Sequence, residues 1–193
     1  MAKHFAVLDE AHVAFIGRQK IFFAATAAPD ARVNVSPRGT DHFRVVAPDT
    51  VLWLDLTGSS AETAAHLKAD GRLTVMFCAF DGPPLILRLY GRGRTIRRGD
   101  AGWAEAIAAH WSGEEPPGAR QIVILDIDLV QTSCGFGVPL FQAVGGRDTL
   151  DRWAASKGEA GLADYRRRKN AVSLDGLPTG LVADEGETGE PVA

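Results

Sequence analysis

Four stretches of the chain combine residue types that could do chemistry. The first is Asp55-Leu56-Thr57-Gly58-Ser59-Ser60-Ala61-Glu62-Thr63, where an apolar run gives way to a helical pattern. A helix start offers unpaired backbone N–H groups and the positive end of the peptide dipoles. Gly58 lets a ligand come close to the backbone, so the junction suits an anion such as a phosphate. It also reads as an ordinary capped helix, because Ser59 and Glu62 have capping-box spacing. In that case the Glu62 charge opposes an anion. The lysine of a triphosphate-binding loop is missing.

The second stretch is Arg32-Val33-Asn34-Val35-Ser36-Pro37-Arg38-Gly39. Its strict alternation predicts a strand with Arg32, Asn34 and Ser36 on one face and Val33 and Val35 on the other. Pro37 and Gly39 predict that the strand stops there. The polar face reads either as a ligand wall or as the solvated side of an edge strand. In the third stretch, Ile86 to Arg94, the side chains of Arg88, Tyr90, Arg92 and Arg94 share a face opposite Leu87 and Leu89. Such a row can bind phosphate or carboxylate, or simply face water. Gly91 and Gly93 mark a bend or a close backbone approach. The fourth is Thr132 to Pro139, a glycine-rich loop around Cys134 and Phe136. No histidine has a diagnostic spacing to Cys134, so it reads as a small buried hydrophobe, not a nucleophile. No metal-ligand pattern occurs, and no residue presents itself as a catalytic acid or base.

The elements that must position these stretches follow from periodicity. Helices are predicted over 9–19, 61–70 and 100–111, with Asp9 as an N-cap and Gly71 as a helix stop. Residues 147–169 predict two helices broken near Gly158 or Gly161. Strands are predicted over 20–27, 32–36, 43–46, 50–56, 72–80, 85–97 and 121–130, mostly joined by short turns. That order predicts a mainly β protein with peripheral helices, an antiparallel barrel and not a doubly wound sheet. The 193 residues suit one domain, expected over 1–183, with a disordered acidic tail over 184–193. The formal net charge of -3 argues against a nucleic-acid partner. No apolar run is long enough to span a membrane, and the N-terminal residues lack a signal-peptide pattern. With two cysteines, Cys78 and Cys134, a reduced cytoplasmic protein is the simplest expectation.

In order and spacing, RVNVSPRG (32–39), VLWLDLTGSSAETAAHL (51–67), GRLTVMFCAF (71–80), ILRLYGRGR (86–94) and SCGFGVPLF (133–141) resemble the pyridoxamine 5'-phosphate oxidase-like FMN-binding split-barrel family. The resemblance covers about residues 5 to 180. It implies a six-stranded antiparallel split β-barrel, a homodimer, and FMN bound between subunits by an oxidoreductase acting on a small organic molecule. The alternative is a non-catalytic protein that binds or senses a flavin or a related ligand. The implied cofactor-binding residues are Arg32, Val35, Ser36, Pro37 and Arg38 along the ring, and Asp55, Leu56, Thr57, Gly58, Ser59 and Thr63 around the ribityl phosphate. Arg32, Arg38 and Arg88 are the candidate counter-charges. Family oxidases carry Ser-x-Lys at this helix start, where this chain has Ala61 and Thr63. The substrate-gripping Arg-x-His near the family's C-terminus has no counterpart, which speaks against pyridoxamine phosphate as the substrate.

Overall fold

A computed structural model describes residues 2–182. The acidic stretch 184–193, expected to be disordered, lies outside the described residues. In chain order the elements are β1 (Lys3–Phe5), α1 (Glu10–Arg18), β2 (Ile21–Thr26), β3 (Asn34–Gly39), β4 (Phe43–Ala47) and β5 (Thr50–Leu56). They continue with α2 (Glu62–Ala69), β6 (Arg72–Cys78), β7 (Ile86–Arg97), α3 (Trp103–Trp111), β8 (Ala119–Ser133) and α4 (Thr149–Lys169). All strand pairs are antiparallel, in the order β3-β2-β6-β7-β8-β5-β4, with β1 added to β8. The sheet therefore has eight strands among the described residues, where the resemblance implied six. Seven of them answer to the seven strands expected from periodicity, and the eighth is Lys3–Phe5, too brief to show a periodic signal.

The long strand β8 holds the sheet together. Its first half pairs with β5, its end pairs with β1, and β7 runs beside nearly its whole length. The sheet curls until its edge strands β3 and β4 meet at the turn around Thr40, where the Phe43 N–H donates to the Thr40 carbonyl at 2.9 Å. Inside the curl, Phe22, Phe43, Trp53 and Phe77 pack edge to face, tilted and, for Phe43 on Trp53, stacked, with centroids 4.9–6.3 Å apart. Leu73, Val75, Leu87, Leu89, Val123 and Leu125 complete this core. A second apolar cluster forms outside the sheet, where Trp103, Ile107 and Trp111 of α3 cover Leu52, Leu54, Ile122 and Ile124.

The two glycines of β7 have the structural role that their spacing suggested. A Cβ on Gly91 would sit 2.0 Å from the Asp126 carbonyl oxygen, at the register shift between Tyr90 and Gly91. A Cβ on Gly93 would sit 2.6 Å from Leu67 of α2, so this glycine lets the helix dock on the sheet. Helix α2 ends at Asp70 and Gly71, whose φ of +86 and N–H bond to the His66 carbonyl make it the expected stop. In α4 the break falls at Gly158, which has φ 61 and ψ 173.

Two sequence expectations are corrected here. Strand β3 does not stop at Pro37. It begins at Asn34 and runs through Pro37 to Gly39, paired with β2. It is an edge strand, so the missing proline N–H costs no ladder bond. Arg32 and Val33 consequently precede the strand. Cys134 is exposed rather than buried, whereas Cys78 is buried and both thiols are free.

Candidate functional site

Strand β3 and the segment 55–63 form facing walls of the split in the barrel. The alternation of β3 turns Asn34, Ser36 and Arg38 inward and leaves Val35 and Pro37 exposed. Facing them, β5 delivers Asp55, which is fully buried. Its carboxylate accepts from Arg38 Nη1, from Arg120 Nε at 2.9 Å and from Gln121 Nε2 at 2.8 Å. Burial alone would push this carboxyl up. The Arg120 and Arg38 charges and the Gln121 and Arg120 hydrogen bonds outweigh burial and hold its pKa at about 2. Arg38 and Asp55 thus form an ion pair that ties the two sides of the split together.

A second tie lies one turn further along. Asn34 Nδ2 donates to Thr63 Oγ1 at 3.3 Å and to Thr26 Oγ1 at 3.1 Å, and Ser36 Oγ donates to Asn34 Oδ1 at 3.0 Å. Thr26 in turn meets Nδ1 of the fully buried His66 at 3.0 Å. This chain of polar groups fixes strand β3 against the first turn of α2.

The loop into α2 is held from outside by the C-terminal part of the chain. The Thr57 N–H and hydroxyl both donate to the Gly118 carbonyl, at 2.7 and 2.8 Å. Arg166 Nη1 donates to Thr57 Oγ1 at 3.2 Å, Asn170 Nδ2 to the Gly58 carbonyl at 3.0 Å, and Arg120 Nη2 to the Ser60 carbonyl at 2.8 Å. The capping box expected of Ser59 and Glu62 does not form. Ala61 is the N-cap and no side chain caps the helix. That places Glu62 in the first helical position, where its carboxylate accepts the Leu174 N–H at 2.9 Å. Ser59 and Ser60 are exposed beside this uncapped start.

The other predicted residues divide. Arg32 lies near the same helix start. Its N–H donates to Asp175 Oδ2 at 2.8 Å and its guanidinium pairs with the same carboxylate. Leu56 lines a groove of about 780 Å³ with Pro37, Arg38, Trp53 and the segment 143–147. Buried within these walls, Arg38 Nε and Trp53 Nε1 have no partner among the described residues. Arg88 is not brought to the site. It lies on the outer sheet face, where it donates to Ser133 Oγ at 3.2 Å. Sequence reasoning missed Arg120, Gln121, Arg166, Asn170 and Asp175. Arg120 and Gln121 open the most apolar strand of the chain, and their order of residues carries no sign that they turn toward Asp55.

The geometry fits a ligand with an anionic end and a flat, largely apolar body. The α2 start without an N-cap side chain, the exposed Ser59 hydroxyl and the surface-exposed Arg32 suit a phosphate. The groove beside Leu56 offers aromatic walls and buried donors for a ring.

A curled antiparallel sheet, open along one seam with its site residues lining that seam, is the architecture of a split-barrel protein. The comparisons carry this to a family: residues 8–134 match the family described as pyridoxamine 5'-phosphate oxidase. The chain is also 39% identical over 191 residues to the pyridoxamine 5'-phosphate oxidase family protein ustO of Aspergillus flavus, covering 88% of this chain and 75% of that one. The chain belongs to the pyridoxamine 5'-phosphate oxidase family. Two solved structures share its fold. One is HupZ of Group A Streptococcus, with a TM-score of 0.51 and 14% identity over 63% of this chain and 92% of that one. The other is a pyridoxamine 5'-phosphate oxidase-related, FMN binding protein of Nostoc punctiforme, with a TM-score of 0.50 and 15% identity over 64% of this chain and 82% of that one. Arg166, Asn170 and Asp175 lie beyond the segment that matches the family.

Proposed function

We propose that the protein binds FMN in the split between β3 and the 55–63 segment and works as an oxidoreductase on a small organic substrate. The observation that carries this reading is the continuity of the site. Leu56, which lines the groove with Pro37 and Arg38, is followed in the chain by the serine-bearing segment that leads to the uncapped start of α2, so ring and phosphate would be met by one run of chain. The FMN-binding name of the Nostoc relative supports it. Bound flavin would supply the hydride or electron chemistry. The protein's part is to orient it: Asn34 and the Arg38–Asp55 pair hold the walls, Ser36 and the orphaned Arg38 Nε offer hydrogen bonds, and Ser59, Thr63 and Arg32 meet the phosphate. Arg32 does so by exchanging Asp175 for the ligand.

The second subunit belongs to the same proposal. Val33 and Val35 are 71% and 60% exposed, and Phe136, Leu140, Phe141 and Val144 are 62–97% exposed. Apolar surface of this extent beside the site suits burial against a second copy. The partner's outer sheet face would bring its own Arg88 to the interface. The proposed setting is the reducing cytoplasm, in keeping with two free thiols.

Titration of wild type and Arg32→Ala with FMN and with riboflavin tests the assignment. Losing a charge-assisted contact to the phosphate should weaken FMN about ten- to a hundred-fold and leave riboflavin nearly unchanged. Equal weakening of both would place Arg32 against the ring or in the fold. No effect on either would remove it from the site.

A further inference from the structure

Behind the 57–60 loop, on the side away from β3, a second cleft of about 500 Å³ is lined by Arg97, Arg98, Arg120, Arg166, Trp103 and Glu115. Its charges do not balance. Arg98 is shared between Glu115 and Glu159, while Arg120 and Arg38 both serve Asp55. With Arg97, which pairs with Asp100, and Arg166 included, five guanidinia meet four carboxylates. Arg166 is the odd one. It is half-buried, its one hydrogen bond is to the Thr57 hydroxyl, and it makes no ion pair among the described residues.

A guanidinium taken partly out of water without a counter-charge is costly, and proteins rarely leave one so unless something supplies the charge. Burial lowers the Arg166 pKa; Glu159 opposes that, and Arg98 and Arg120 add to it. Its surroundings therefore call for an anion. The cleft also adjoins a groove of about 780 Å³, which shares Arg97 and Arg98 with it and adds Lys68 and Arg94 against the single carboxylate of Asp100. This is a concentration of positive charge in a protein whose net charge is -3. Cations gathered in a cleft attract anions more strongly than the same charges spread over a surface.

We infer that this cleft is a second anion site, distinct from the flavin site, which takes a phosphate or carboxylate group on Arg166 with Arg98 and Arg97 beside it. The planar donor forks of guanidinium groups match the oxygens of either anion. The anion has two possible sources. One is a free small molecule. The other is the chain itself, because Leu181 and Val182 line the adjoining groove and Asp184, Glu185 and Glu187 follow in sequence.

The test is calorimetric titration of the FMN-saturated full-length protein with inorganic phosphate, for wild type, Arg166→Gln and Arg166→Lys. A further variant, Asp184→Asn/Glu185→Gln/Glu187→Gln, separates the two sources. Saturable binding is expected, weakened about ten-fold or more by Arg166→Gln and largely kept by Arg166→Lys. Binding of equal strength in wild type and the tail variant assigns the site to a free anion. Binding that strengthens in the tail variant assigns it to the chain's own carboxylates. Non-saturable binding in both of those proteins, or equal binding by wild type and Arg166→Gln, overturns the inference. FMN saturation keeps the outcome independent of the flavin phosphate site. If no FMN binds, the same titrations on the apoprotein with Arg32→Ala as control decide it: phosphate that responds to Arg32 and not to Arg166 overturns the second site.

Discussion

Asp55 shows how a residue's partners can stay hidden in the sequence. Its place beside a helix start suggested a ligand contact, and Arg38 suggested a phosphate counter-charge. In the fold the two bind each other, 17 residues apart in sequence. Nothing local reports such a pairing, because it depends on the sheet curling until its edges meet. The same holds for Arg120, whose bond to Asp55 spans 65 residues. The pair has a consequence in acid. The Asp55 pKa in the folded protein, about 2, lies below the ordinary aspartate value of 3.8, so the folded state favours the ionised form. That stabilisation is complete above the unfolded value and is lost as pH falls toward 2. It amounts to about 2–3 kcal/mol. Urea denaturation should show stability falling between about pH 4 and pH 2, and Asp55→Asn should flatten that part of the curve. An unchanged acid limb in Asp55→Asn would show that other carboxylates dominate.

Individual elements were far more legible than residue pairings. The start of α1 follows from its Asp9 cap, and the Gly71 stop and the Gly158 break from glycine conformation, which act within a few residues. Strand β3 was cut short because Pro37 reads as a terminator in isolation. Only the sheet order shows that β3 is an edge, where proline is tolerated. The capping box failed for a related reason: the Leu174 N–H, 112 residues away, gives Glu62 a partner that competes with Ser59. Gly91 and Gly93 were read correctly because alternation already placed them opposite the basic row. Gly91→Ala should cost about 1–3 kcal/mol of stability, since a methyl group must push the β8 backbone aside at the register shift. A denaturation midpoint equal to wild type would mean that the shift relaxes freely.

At the scale of the whole molecule, fold class and family were readable from the order of five short segments, each weak alone. The site was readable as two walls, 32–39 and 55–63, although the residues that brace them come from β8, α4 and the following loop. What covers the exposed valines of 33 and 35 and the phenylalanines of 136 and 141 is not written in any local pattern. The account places a second subunit there and a flavin in the split beside it. Sedimentation velocity of the purified protein with equimolar FMN, followed at the flavin's visible absorbance, examines both together. The account predicts one coloured boundary at about twice the 20.6 kDa chain mass, with the flavin moving with the protein. Flavin that stays behind while a colourless protein sediments would contradict it.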